Sequence, residues 1–330
     1  DQSNDSFKAL STLREFLSTT TQFPQAFIQT IDLLDGIGKK SEALNLLERF
    51  SRQYADQTEL LLVQAKMYVK LDNEDLAAIR LKRALLIDPT FVPAYDELVD
   101  ILIRKGDIGY AKYYTEQLAE QQIEPVLVEQ LRGDIASQNQ DWLAAISFYE
   151  QALKVRYNKR TVMALHQIYR QRDKNKSIED LLHKAIEHFP EDIFLNLALA
   201  DNYSRTGHTE KSITVYEELL HTHPEHPVIL NNAANLYIDI NDLERADELA
   251  QRALTNAPNE PLVLDTVGWI AAQKGELELS LSLLRQAETL KYNDPTISGH
   301  IVDVLIRMGR FDEAQAQRAQ NDERWQGDAI

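Results

Sequence analysis

The 330-residue sequence contains no cysteine. That single absence removes disulfides, thiolate metal sites and thiol nucleophiles together. It does not choose a compartment. Glycine and proline are also scarce, at 11 and 10 residues, which disfavours a loop-rich all-β fold. No stretch approaches the roughly 18–20 apolar residues of a membrane span, and no signal peptide is visible at Asp1, so the chain is either cytosolic or has lost a leader. Positive charge is in deficit: 35 Lys and Arg face 52 Asp and Glu, a net charge of −17. An acidic surface repels nucleic acid and anionic lipid, so neither is a default partner. Phosphate-binding glycine loops (GxGxxG, Walker A), HExxH and GxSxG are all missing. No Ser or Thr sits in a strained, Gly-flanked turn. The expectation is a protein that is not an enzyme and carries no cofactor.

What the sequence does contain is a beat. A small residue is followed by a large one, or once by Ala, four places on, by Ala or Leu three later, and by Pro five later, in Ala77–Leu81–Ala84–Pro89, Ser212–Tyr216–Leu219–Pro224 and Ala246–Ala250–Ala253–Pro258. The third member recurs as Phe50, Ala84, Leu118, Ala152, Ala185, Leu219, Ala253 and Ala287, 34 residues apart except for one interval of 33. A second marker keeps the same spacing: Ala65, Val99, Gly133, His166, Ala200, Ala234, Gly268 and Val302. This is the tetratricopeptide period of two helices per repeat. Small residues let helices A and B approach closely, the large residue fills the adjoining hole, and Pro ends helix B. The expected fold is all-α, a right-handed tetratricopeptide-repeat α-α superhelix. Its repeats start near Pro24, Thr58, Val92, Val126, Lys159, Ile193, Pro227, Pro261 and Pro295. Asp107, Asp141, Asp242 and Asp312 are candidate caps for the B helices.

The ends carry their own expectations. In residues 1–23, Ala9, Leu13 and Phe16 occupy the helix-B positions of a further half repeat. The chain is therefore expected to begin in mid-repeat, as a cut fragment of a longer solenoid would; a lone capping helix is the other reading. Residues 24–330 are expected to form one solenoid. The last helix B, from about Asp312 to Trp325, is much more polar than the others, as a terminal repeat with one wet face should be.

Three clusters are candidates for function. His221, His223 and His226 crowd one loop with Glu225, and His188 lies one repeat earlier. They could meet a transition metal but are read as solvated turn residues, so no metal site is expected. Residues 151–178 hold Lys154, Arg156, Lys159, Arg160, Arg170, Arg172, Lys174 and Lys176 against Asp173 alone, a charge of +7. The other 27 basic and 51 acidic residues leave the rest at −24. This segment is either a basic patch for an acidic polymer or protein face, or a solvated face beside an irregular repeat in which Tyr157 replaces Pro. Finally, the helix-A positions expected to line a concave groove give Asn231, Asn232 and Asn235, then Asp265, Thr266 and Trp269, then His300 and Asp303. Amides there could bind a peptide backbone or sugar hydroxyls, and Trp269 could offer a flat apolar face. Alternatively the Asn side chains only satisfy neighbouring helices and Trp269 packs in the core.

The runs LNNAANLY (230–237), VLDTVGWI (263–270), LLRQA (283–287) and MGRFDEA (308–314) resemble the C-terminal half of the PEP-CTERM system tetratricopeptide-repeat lipoproteins. LRGDIASQNQDWLAAISFYEQAL and LALADNYSRTGHTEKSITVYEELL are similar to the same family's middle, so the resemblance covers about 126–316. It implies a Gram-negative envelope protein that accompanies exosortase sorting and exopolysaccharide production. The body would lie in the periplasm on an outer-membrane lipid anchor, and it would act as a non-catalytic scaffold for proteins or peptide segments. The family supplies no catalytic residues to carry over. The signal and lipidated Cys of that family do not occur here. Two other readings stand beside it: a cytosolic peptide-binding adaptor or co-chaperone, and a direct binder of an acidic polysaccharide.

Overall fold

The computed structural model describes Thr12 and residues 24–53, 55–292 and 294–327, with the helical backbone alone for 24, 25, 53 and 320–327. The half repeat expected in residues 1–23 and the side chain of Trp325 therefore lie outside the described residues. Among the described residues the regular structure is entirely helical. The helices are α1 (Pro24–Gly36), α2 (Lys40–Gln53), α3 (Thr58–Lys70), α4 (Glu74–Ile87), α5 (Val92–Arg104), α6 (Ile108–Glu120), α7 (Pro125–Gln138), α8 (Trp142–Val155) and α9 (Lys159–Gln171). They continue as α10 (Asn175–His188), α11 (Ile193–Arg205), α12 (Thr209–Thr222), α13 (Pro227–Asp239), α14 (Leu243–Asn256), α15 (Pro261–Gln273), α16 (Leu277–Leu290), α17 (Pro295–Arg307) and α18 (Phe311–Gly327). Among the described residues none is long and apolar enough to cross a membrane.

The turn inside each helical hairpin is built the same way. Gly38, Asp72, Gly106, Gln140, Asp173, Gly207, Asn241, Gly275 and Gly309 all have φ between 52° and 84°. The residue after each one donates its N–H to a carbonyl five back, as in Asn73 to Tyr68 and His208 to Tyr203, both at 2.8 Å. This left-handed stop satisfies carbonyls that the helix end would otherwise strand. Glycine adopts it at no steric cost, and Asn and Asp tolerate it.

The caps differ in part from expectation. Asp141 and Asp242 accept from the N–H of Ala144 and Arg245, at 3.2 and 3.1 Å. Asp107 precedes α6 without a side-chain hydrogen bond. Asp312 is not a cap, because α18 has already begun at Phe311. Asn73, Asp192 and Asp294 also cap helices through their side chains. The fourth hairpin starts at Pro125, one residue before the expected Val126, since Pro at the first helical position is preset for the helix.

The chain divides into two compact units, 1–168 and 169–330, with the boundary inside α9. In the first, Phe27, Leu47, Phe50, Leu61, Tyr68, Leu81, Tyr95, Leu98 and Leu118 form one continuous core. In the second, Tyr216, Ile229, Leu230, Leu249 and Val267 form a core around α12–α15. A further core joins α15–α18 through Leu284, Ile297, Ile301 and Leu305. Contacts run between helices adjacent in sequence and between some successive first helices, as α5 with α7, α13 with α15 and α15 with α17. That is how repeat arrays bury surface that no single hairpin could cover. Both marker series lie inside: Phe50, Ala84, Leu118, Ala152, Ala185, Ala253 and Ala287 are fully buried. At Gly133 even a Cβ would come within 2.5 Å of the Tyr149 ring.

Candidate functional site

The helix-A candidates stand on α13, α15 and α17 of the second unit, on helices that touch directly. Asn231 is 6% exposed, and its Oδ1 has no hydrogen-bond partner. Asn232 is hydrogen-bonded to Tyr216, whose hydroxyl burial pushes up to about 12. Asn235 is exposed; its Nδ2 donates to Thr266 Oγ1 at 3.3 Å, while the Thr266 hydroxyl lies 2.9 Å from the Leu262 carbonyl, which accepts from it. These contacts join α13 to α15.

A second set joins α15 to α17. His300 Nδ1 lies 2.8 Å from Oδ1 of the buried Asp265. The imidazole stacks on Trp269, centroids 4.2 Å apart and planes 14° from parallel. Trp269 is half-buried and packs against the α15–α18 core, and the Arg307 guanidinium rests 5.1 Å from its ring centroid, a cation–π contact. Arg307 is in turn held by Asp303, Nε to Oδ2 at 2.6 Å. The structure thus brings Asp265, Trp269, His300 and Asp303 together and links Asn235 with Thr266. Asn232 is taken up by a neighbouring tyrosine. Arg307 was missed by the sequence reading; its signal was the i,i+4 Asp303–Arg307 pair on a helix face already carrying His300. The array can hydrogen-bond amides through the exposed Asn235 and offer the half-buried Trp269–His300 pair to a ligand.

The basic candidates are less free than their charge implies. Lys154, Arg156, Lys159 and Arg160 belong to the first unit, and Arg170, Arg172, Lys174 and Lys176 to the second. Arg160 bridges Asp96 at 2.6 Å and Asp134 at 2.7 Å, and Tyr149 donates its O–H to the other Asp134 oxygen at 2.6 Å. Burial opposes the Arg160 charge, but the two carboxylates outweigh it and hold its pKa above the ordinary arginine value. Arg156 pairs with Glu124, Arg170 with Asp201, and Lys176 with Asp180 and Glu179. Lys174 lies over the Tyr169 ring.

The histidines do not converge on an ion site: among the described residues no group of three His, Cys, Asp or Glu is placed to hold a metal. Glu225 is engaged by Arg252 and Asn256, and His223 Nδ1 by the Thr222 hydroxyl.

A family model and one solved structure agree with this architecture. Residues 197–261 match the tetratricopeptide repeat family. A tetratricopeptide repeat protein from Parabacteroides merdae ATCC 43184 superposes with a TM-score of 0.52 at 17% identity, over 75% of this chain and 98% of that one. MamA (41-end) from Desulfovibrio magneticus RS-1 gives 0.41 at 15% identity, over 50% of this chain and 93% of that one. A 91-residue stretch is 31% identical to the rRNA biogenesis protein RRP5 of Drosophila melanogaster, covering 27% of this chain and only 6% of that protein. By fold, therefore, the chain is a tetratricopeptide-repeat α-α solenoid, with the repeat itself matched over residues 197–261.

Proposed function

We propose that the chain is a non-catalytic scaffold that holds an extended segment of a partner protein along the row formed by α13, α15 and α17. The observation that carries this reading is the half-buried Trp269–His300 stack, which stands with the exposed Asn235 on a row of touching helices. The exposed Asn235 amide would exchange hydrogen bonds with the backbone of an extended peptide. A side chain of the same segment would pack against the accessible part of the Trp269–His300 pair, since amphipathic aromatic groups are favoured at interfaces.

The setting we propose is the periplasmic side of a Gram-negative envelope, on an outer-membrane lipid anchor. The role would be in exopolysaccharide biosynthesis or export, or in exosortase-linked sorting. What supports it is the resemblance of 126–316 to PEP-CTERM system repeat lipoproteins. A lipobox upstream of Asp1 in the full gene is the expected finding; its absence would favour the cytosolic adaptor. Direct binding of an acidic polysaccharide has weaker support, because Arg156, Arg160, Arg170 and Lys176 are already paired with carboxylates.

Photo-cross-linking tests the scaffold. A photoreactive residue at Asn235, used in native envelopes, is expected to trap one recurrent peptide segment. The same probe at Leu86, exposed on α4 of the first unit, should not trap it. Equal labelling from both positions, or none from Asn235, would remove the reading.

A further inference from the structure

One corner recurs in two hairpins: the residues just before the first helix meet the tenth position of the second. In the α3–α4 hairpin, Arg83 at that tenth position donates Nη2 to Asp56 Oδ1 at 2.6 Å. In the α13–α14 hairpin, Arg252 Nη2 donates to the Pro224 carbonyl at 2.6 Å and to Glu225 Oε1 at 3.1 Å. Both repeats thus bind a guanidinium of their own in the same place. The α11–α12 hairpin keeps the acceptors of that corner, with Pro190 and Glu191 standing where Pro224 and Glu225 stand. Its tenth position, however, is Glu218. The guanidinium is missing and a second carboxylate has replaced it. Among the described residues neither Glu191 nor Glu218 has a cation paired to its side chain.

The floor of the same corner is also emptied. In the α13–α14 hairpin it is filled by Leu230 and Leu249, both fully buried. In the α5–α6 hairpin it is filled by Tyr95 and Tyr114, and the Tyr95 hydroxyl donates to the Pro89 carbonyl at 3.0 Å. The counterparts between α11 and α12 are Asn196 and Val215. The outcome is a cleft of about 470 Å³, lined by Pro190, Glu191, Asn196, Val215 and Glu218 among others. That volume is in the small-ligand range of ~300–1,000 Å³.

We propose that this cleft binds a guanidinium on an alkyl arm. The planar fork of donors would take the carboxylates of Glu191 and Glu218, and the Pro190 carbonyl, as Arg252 does one repeat later. The arm would lie on Val215, Ile193 and Leu219. The cleft is formed by α11 and α12 and does not depend on the α13–α15–α17 reading. A free guanidinium compound and an arginine presented by a partner share this chemistry.

Calorimetric titration of the full chain at low salt with agmatine, and separately with acetyl-Gly-Arg-Gly-amide, tests it. At least one ligand should bind saturably at one site. Agmatine alone would indicate a free compound, and both together an arginine side chain. Glu218→Arg, which restores the guanidinium found in α14, should abolish binding and raise Tm. Glu191→Gln should weaken binding by about tenfold or more, the worth of one charge-assisted hydrogen bond, and it serves alone if the first variant does not fold. Glu59→Arg, a charge-matched change on α3, should leave binding intact. No saturable binding of either ligand, binding indifferent to Glu218→Arg and Glu191→Gln, or equal loss in Glu59→Arg would overturn the proposal.

Discussion

At the scale of single residues, the fold is set by what will not fit as much as by what packs. Gly133 faces the Tyr149 ring, 2.5 Å from where a Cβ would stand, and that ring is pinned by its hydroxyl on Asp134. Gly133→Ala should therefore cost about 1–3 kcal/mol from overpacking. Gly299→Ala, with nothing within 4 Å of its Cβ, should gain roughly 0.5–1 kcal/mol from helix propensity. Urea melts of the two variants check the contrast. Asp294 has a different role. Burial raises its pKa, but Lys291 and the Thr296 and Ile297 N–H groups outweigh burial and hold it below the ordinary 3.8. A depressed acid stabilises the folded state above its unfolded pKa, and that contribution fades as pH falls through the folded value. Asp294→Asn should therefore lower stability by about 1 kcal/mol at pH 7. The gap from wild type should close as pH drops from about 4 downward, which urea midpoints across pH would show.

At the scale of elements, the hairpin turns impose one backbone conformation on nine different residues. Glycine supplies it at five of them, while Asp72, Gln140, Asp173 and Asn241 carry a Cβ at positive φ. Gln140 lacks the short side chain that lets Asn and Asp tolerate this region. Gln140→Gly is expected to stabilise by about 0.5–1 kcal/mol, the left-handed strain relieved exceeding the entropy lost by the unfolded chain. Thermal unfolding checks it, with Gln151→Gly, inside α8, as a destabilising control. The turns also show why helices were easy to place from sequence and corners were not. Packing of Ala84, Ala152 and Ala253 is dictated by a periodic pattern, whereas Pro125 begins its helix one residue early because local proline geometry prevails over the period. Asp312 looked like a cap by type, but the turn before it had already closed at Phe311.

At the scale of the whole molecule, the period made the helical hairpins and their buried faces legible, because every repeat states the same rule again. The candidate site was legible only in part. Asn231, Asp265, Trp269 and His300 share one register, so counting found them. Their contacts depend on side-chain reach between helices, and counting could not tell that Asn232 would be taken by Tyr216 or that Arg307 would cover Trp269. The pairing within the basic segment was hidden for the same reason: the partners of Arg160 lie 64 and 26 residues away, on α5 and α7. Charge counted along a chain is not charge presented to a partner. The central claim is that the row on α13, α15 and α17 holds a partner segment. Its most direct test is the affinity of the peptide trapped from Asn235, measured on wild type and on Trp269→Ala and His300→Ala variants with unchanged circular dichroism. The account predicts a loss of about tenfold or more in each variant, as for a central aromatic anchor. Unchanged affinity in both folded variants would contradict it.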